Sequence, residues 1–250
     1  MKILISLPIY KRDWILPYWL KAIEDQTIPL SDIGFQFELG HPDGATHDIL
    51  WEWQQSHTEC WLFDAQINEA EPHKTHEEGK RSWKVEEFLR MVTFRNNLLE
   101  RAAVRLDKFD YYFSLDSDVI LEDPRTIEKL VSYKKDVVSP YMFMTPHDVD
   151  YPNGMNWAIT GSDWVGKRIR LETGLVEVDV PMAAILMSKK VVESVRYEWH
   201  PQGEDIGFAK NLYKQGFDSF IDFDTYAPHI MHRAQLKDFL ANGDSRLQLL

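Results

Sequence analysis

Two aspartates flank a serine at Asp116-Ser117-Asp118, between the apolar runs Tyr111 to Leu115 and Val119 to Leu121. Carboxylates one residue apart can share a hard divalent cation, and such a cation can carry a diphosphate. Aspartate and serine are also everyday turn residues. Position lifts this pair above a solvated turn: it ends a strand of buried type, where open α/β sheets bind ligands. Gly203-Glu204-Asp205 opens a helix, where a carboxylate either complements the helix dipole or takes a proton from a hydroxyl. His229 and His232 follow an apolar strand and Pro228, and imidazole with carboxylate suits manganese slightly better than magnesium. Asp43 stands in the turn Gly40-His41-Pro42-Asp43-Gly44. Arg12 and Arg95 fit either phosphate or some of the many carboxylates.

Other chemistries lack their parts. No glycine-rich dinucleotide loop, Walker loop or Gly-x-Ser-x-Gly elbow is present, and Cys60 has no base beside it in sequence. His73, His76, Glu77 and Glu78 lie in so polar a stretch that a solvated face explains them better than a metal site.

The elements that must carry these groups follow from patterning. Strands are expected at residues 2–9, 35–39, 60–63, 111–115, 137–143 and 217–222, with an apolar run at 176–187 broken by Pro181. Helices are expected at 14–26 (capped by Asp13, Pro17 in its first turn), 45–55, 85–106, 124–133 and 189–195. A further helix begins at the Glu204-Asp205 pair, runs to about 215, and stops at Gly216. Residues 68–84 read as a long loop near a site, and 145–173 as a substrate-side excursion without regular structure. The tail from 236 reads as helical, then frayed.

Composition bounds the rest. The 250 residues suit one α/β domain: a ligand-binding half at 1–120, a second half at 121–235 and a tail at 236–250. At 44% hydrophobic residues, a substantial core is available, and Trp157, Trp164 and Trp199 either stack on a ligand or fill it. The net charge of -12 argues against a broad nucleic-acid or anionic-membrane surface. A single cysteine excludes an intrachain disulfide and agrees with a reducing cytoplasm. The opening apolar run is cut short by Lys11-Arg12-Asp13, and no run is long enough for a transmembrane segment, so a soluble cytoplasmic protein is expected.

Read together, these pieces resemble GT-A glycosyltransferases of the family 2 type. Ser6-Leu7-Pro8-Ile9-Tyr10-Lys11-Arg12, followed by a helix ending at Gln26-Thr27, looks like their Pro-x-Tyr-Asn-Arg opening. Asp43-Gly44-Ala45-Thr46-His47-Asp48 looks like their Asp-Gly-Ser-Thr-Asp segment, and Phe94-Arg95-Asn96-Asn97 like their Ala-Arg-Asn helix. Asp116-Ser117-Asp118 stands where the family has Asp-x-Asp, and Gly203-Glu204-Asp205 resembles its acceptor-side Glu-Asp motif. Lys11 departs from the usual Asn, and His41-Pro42 stands where an acidic residue is common.

The resemblance implies a GT-A fold, a mixed and mostly parallel sheet flanked by helices with one antiparallel edge region. It implies a nucleoside diphosphate sugar donor, UDP-linked, and a divalent metal, Mn2+ or Mg2+. Asp118 would ligate the metal, Asp116 would touch the ribose or a metal-bound water, and His229 (or His232) would be a third ligand. Pro8, Tyr10, Arg12 and Asp43 would frame the nucleoside, and Arg95 would contact the diphosphate or pack beside the aspartates. Asp205 would be the general base of an inverting transfer to a hydroxyl acceptor, with Glu204 orienting that acceptor. The acceptor class stays open between saccharide, lipid, protein and a modified nucleic-acid base. A nucleotidyltransferase and an inactive nucleotide-sugar-binding module are the competing readings.

Overall fold

The computed structural model describes residues 1–40, 44–67, 85–143, 152–160 and 163–242. Strand β1 (Ile3–Ile9) is apolar at nearly every position because both of its faces are covered. Ile3, Ile5, Leu7 and Ile9 point to one side, packing with Trp19, Leu20 and Ile23 of helix α1 (Leu16–Glu24). Leu4 points to the other side, towards Leu99 and Ala102 of helix α3 (Val85–Ala103).

The remaining elements are β2 (Ile33–Leu39), α2 (Gly44–Ser56), β3 (Leu62–Ile67), β4 (Tyr111–Leu115), α4 (Thr126–Ser132) and β5 (Val137–Tyr141). They continue with β6 (Met155–Thr160), β7 (Asp163–Arg168), β8 (Leu175–Val178), β9 (Ala184–Ser188), α5 (Lys189–Ser194), α6 (Glu204–Lys214), β10 (Ser219–Tyr226) and α7 (Arg233–Asn242). Eight strands form one sheet in the order β3-β2-β1-β4-β9-β5-β10-β8, and β6 and β7 form a separate hairpin. The sheet is mixed and mostly parallel, flanked by helices, as expected of a GT-A fold.

Four expectations need correction. Antiparallel pairing is not confined to an edge: β8 is an antiparallel edge strand, but β9 runs antiparallel between β4 and β5 in the sheet interior. Asp13 does not cap α1, which starts at an Ile15 N-cap without a side-chain bond; the Asp13 carboxylate instead accepts from Arg233 at 3.3 Å. The third strand lies later than residues 60–63, because its backbone follows β2 from Gly34↔Leu62 to Leu39↔Ile67 despite the polar Asp64 and Gln66. The excursion at 145–173 contains the β6–β7 hairpin. Main-chain bonds between Met155 and Val180, and Asp179 accepting from the Trp157 N–H at 2.7 Å, fasten it to the body.

Candidate active site

The site is built at the carboxyl end of β4. Asp116 N–H donates to the Ala183 carbonyl at 2.9 Å, and the Asp116 carbonyl accepts from the buried Trp19 indole at 3.1 Å. The chain then turns, and the segment following β10 is stitched to it. Ile120 N–H donates to Pro228 (2.9 Å), Ile230 N–H to the Asp118 carbonyl (2.6 Å), and Val119 pairs with His229. This stitching, rather than a continued strand, occupies the apolar residues after Asp118. It also brings residues more than a hundred positions apart into contact: His229 Nε2 lies 3.2 Å from Asp118 Oδ1. Arg12 Nη2 lies 3.1 Å from the other Asp118 oxygen.

Asp118 is 6% exposed and His229 8%. A carboxylate and an imidazole this close suit a divalent cation. The buried His229 Nδ1 has no hydrogen-bond partner among the described residues. Among the described residues, no group of three metal-binding side chains is assembled. Asp116 stands apart because its carboxylate turns to Arg95. His232 sits at the start of α7, with its N–H on Gln235 Oε1 at 3.0 Å.

Arg95 is 3% exposed. Its Nη2 donates to both Asp116 oxygens (2.9 and 3.2 Å), Nη1 to Ser114 Oγ (3.1 Å) and Nε to Glu204 Oε1 (3.4 Å). Its guanidinium lies 5.4 Å from the Tyr197 ring centroid. Burial disfavours its charge, yet Asp116, Tyr197, Asp205 and Glu204 together hold its pKa well above the ordinary value. Burial also raises the Asp116 carboxyl above its ordinary value; Arg95 opposes that shift and Asp118 reinforces it.

On the first strand's end, Pro8 and Tyr10 are half-buried and Lys11 adopts a left-handed φ of 51°. Arg12 N–H donates to Thr46 Oγ1 at 3.1 Å, so the start of α2 fixes this loop. Gly40 lies so close to Tyr10 that an added Cβ would come within 2.9 Å of its ring. Asp43 and residues 68–84 lie outside the described residues.

Helix α6 begins after Gly203, whose φ of 124° favours glycine. Glu204 is buried against Arg95, and Asp205, in the same turn, is half-buried. The β6–β7 hairpin is pinned beside them: His200 Nε2 lies 3.0 Å from the Trp164 carbonyl, and Gln202 bonds both the N–H and the carbonyl of Gly166. Trp157 and Trp164 meet edge-to-face at 5.2 Å, and Trp164 lies 4.8 Å from the ring of Tyr213. Trp199 is exposed.

Several positioning residues had no signal in composition or spacing. Gln26 donates to the carbonyls of Ala22, Leu121 and Asp123 and accepts from the Ile127 N–H, locking the segment beyond the aspartates to α1. Asn96 grips both main-chain groups of Tyr197, and Asn97 donates to Glu38 at 2.9 Å. All three lie in motifs that the family resemblance picks out, which is the trace their roles leave in sequence.

Among family models, that of glycosyltransferase family 25, N-terminal domain, matches residues 1–204. The chain belongs to glycosyltransferase family 25. The motifs of family 2 type therefore sit in a family 25 chain built on the same GT-A fold. A glycosyltransferase 25 family member from Aedes aegypti is 28% identical over 142 residues, 56% of this chain and 23% of that protein. One from Anopheles gambiae is 22% identical over 218 residues, 82% of this chain and 35% of that protein. Mouse procollagen galactosyltransferase 2 is 26% identical over 51% of this chain and 20% of its own. The alignments thus span about a fifth to a third of these curated relatives' lengths. Solved structures agree on the fold. The mannosyltransferase PcManGT from Pyrobaculum calidifontis, in complex with GDP-Man and Mn2+, gives a TM-score of 0.59 at 13% identity, covering 91% of this chain and 56% of that one. GalNAc-T7 with UDP, GalNAc and Mn2+ gives 0.60 at 11% identity, covering 93% and 44%. No helix among the described residues of this family 25 chain is long and apolar enough to cross a membrane.

Proposed function

We propose that this chain transfers a sugar from a nucleoside diphosphate sugar, UDP-linked, to a hydroxyl acceptor, with inversion and with a divalent metal of manganese type. The observation that carries the reading is the buried Asp118–His229 contact, with Arg12 on the same carboxylate, at the carboxyl end of β4. Family membership and the nucleotide-sugar and Mn2+ complexes among the structural neighbours support it.

Asp118 and His229 would hold the metal, which when bound neutralises charge on the leaving diphosphate. Arg12, partly exposed beside Asp118, supplies a second cation on the donor side. Pro8, Tyr10 and Asp43 frame the nucleoside. Asp205, at the start of α6, takes the acceptor proton as the new glycosidic bond forms, and Glu204 is held in place by Arg95 rather than left to meet the acceptor alone.

The test is a panel of UDP and GDP sugars titrated with and without Mn2+, following thermal unfolding and slow donor hydrolysis. A ligand that binds the native state raises the melting temperature by mass action. One donor should stabilise the protein only with metal, and Asp118→Ala should abolish this and lower turnover by about a thousandfold, several kcal/mol of charge stabilisation. Stabilisation without any hydrolysis or transfer would favour the inactive binding module. No shift with any nucleotide sugar would remove the reading.

A further inference from the structure

We infer that Arg95 is a positioning residue that wires the donor side of the site to the acceptor side, with Asp116 held as its counter-ion instead of serving as a metal ligand. Its kinetic consequence rests on the transfer reaction proposed above.

Successive helical residues point about 100° apart, so neighbours on one turn reach different elements. Arg95, Asn96 and Asn97 use this geometry. Arg95 reaches the end of β4 and the start of α6, Asn96 the main chain of Tyr197 on the approach to α6, and Asn97 Glu38 at the end of β2. The guanidinium meets Asp116 with one nitrogen, Ser114 with a second and Glu204 with the third. Asp116 belongs to the donor-side turn and Glu204 to the acceptor-side helix, and their carboxylates share one buried cation. Removing one partner of such a group leaves a buried charge uncompensated, so the two carboxylates are energetically coupled. With both Asp116 oxygens facing Arg95 and both Asp118 oxygens facing His229 and Arg12, the two aspartates of the motif divide their work. Asp118 faces the metal position; Asp116 fixes the distance from the donor turn to α6.

A double-mutant cycle tests this. Asp116→Asn and Glu204→Gln are made singly and together, in the parent chain and in Arg95→Lys, which keeps the charge but loses the planar fork. Urea unfolding is followed by tryptophan fluorescence. In the parent, the unfolding constant of the double variant should depart from the product of the single effects by about threefold or more, and in Arg95→Lys the departure should vanish. Additivity in the parent overturns the inference, and that arm needs no Arg95 variant to fold. In a second arm, calorimetry with Mn2+ and UDP is set against turnover. Arg95→Lys should keep the UDP Kd within about threefold while turnover falls about a hundredfold, because alignment is lost rather than binding. Parallel loss of affinity and turnover would put Arg95 on the diphosphate and overturn the inference. If the parent chain binds no UDP, the proposed function fails while the unfolding cycle still decides the wiring.

Discussion

The two halves of the sheet hold their functional groups by different means. From β3 through β4 the strands are all parallel, and each hands its carboxyl end to the same edge of the sheet. Asp116 and Asp118 are placed there by the end of β4 and its main-chain bonds to Ala183 and Ile230, and Arg12 by its main-chain N–H on Thr46 Oγ1. In the other half, β9 and β8 reverse direction and the β6–β7 hairpin stands outside the sheet. Glu204 and Asp205 are placed there by side chains that reach across space: Arg95 and Asn96 from α3, and Gln202 and His200 against the hairpin. The proposed donor side thus rests on a block of parallel strands braced by Gln26 and by the segment after β10, whereas the proposed acceptor side rests mainly on long-range polar side-chain contacts. Changes on the acceptor side should therefore alter turnover and acceptor use while leaving the donor cradle intact.

The sharpest way to separate the halves is Asp205→Asn. It should lower transfer by about a hundredfold to ten-thousandfold while the UDP Kd changes little, measured by initial rates beside calorimetry. Equal loss of UDP binding would erase the distinction. Next is Gln26→Ala on the donor side, which strips buried partners from three carbonyls and one N–H. It should cost about 1–3 kcal/mol or more in urea unfolding and weaken Mn2+-dependent UDP binding through the loosened turn. Gln202→Ala should cost less than about 1 kcal/mol, since its contacts are exposed, and should raise the acceptor KM with the donor KM unchanged. The smallest effect is at Cys60, beside β3. Burial, with Glu59 next to it, pushes the thiol up to about 11. A raised folded-state pKa contributes stability fully below the ordinary thiol value and loses it as pH rises through about 11. Cys60→Ala should therefore flatten the stability profile between about pH 9 and 11, and alkylation of the native thiol should be slow at pH 8.

Legibility did not follow that divide, because local signals occur in both halves. The buried strands β1, β2 and β4 and the helices α2 and α6 could be read because continuous apolar runs and 3.6-residue periodicity are local signals. The Asp116–Asp118 turn could be located for the same reason. Strand β3 was displaced in sequence because its polar residues give no strand pattern, and partner β2 decides its register. The hairpin escaped because its pairing is sustained by Val180 and Asp179 and by the Gln202 loop, none of which is adjacent to it in sequence.

Residue types and their order along the chain suffice for the α/β class, the strand that ends in the two aspartates, the helix that opens with Glu204 and Asp205, and the glycosyltransferase resemblance. The strand and the helix depend on residue types within one or two turns of chain, and the class and the resemblance on the order of such pieces along it. Packing sets the rest: Asp118 meets His229 and Arg12, Asp116 turns to Arg95, and β9 enters the sheet interior in reverse. The charge pairings depend on the competition of buried charges for partners across 20 to more than 100 residues of separation, and the direction of β9 on its main-chain pairing with β4 and β5. Burial makes an unpartnered charge too costly to leave, but which partner reaches it is settled only by how the layers pack.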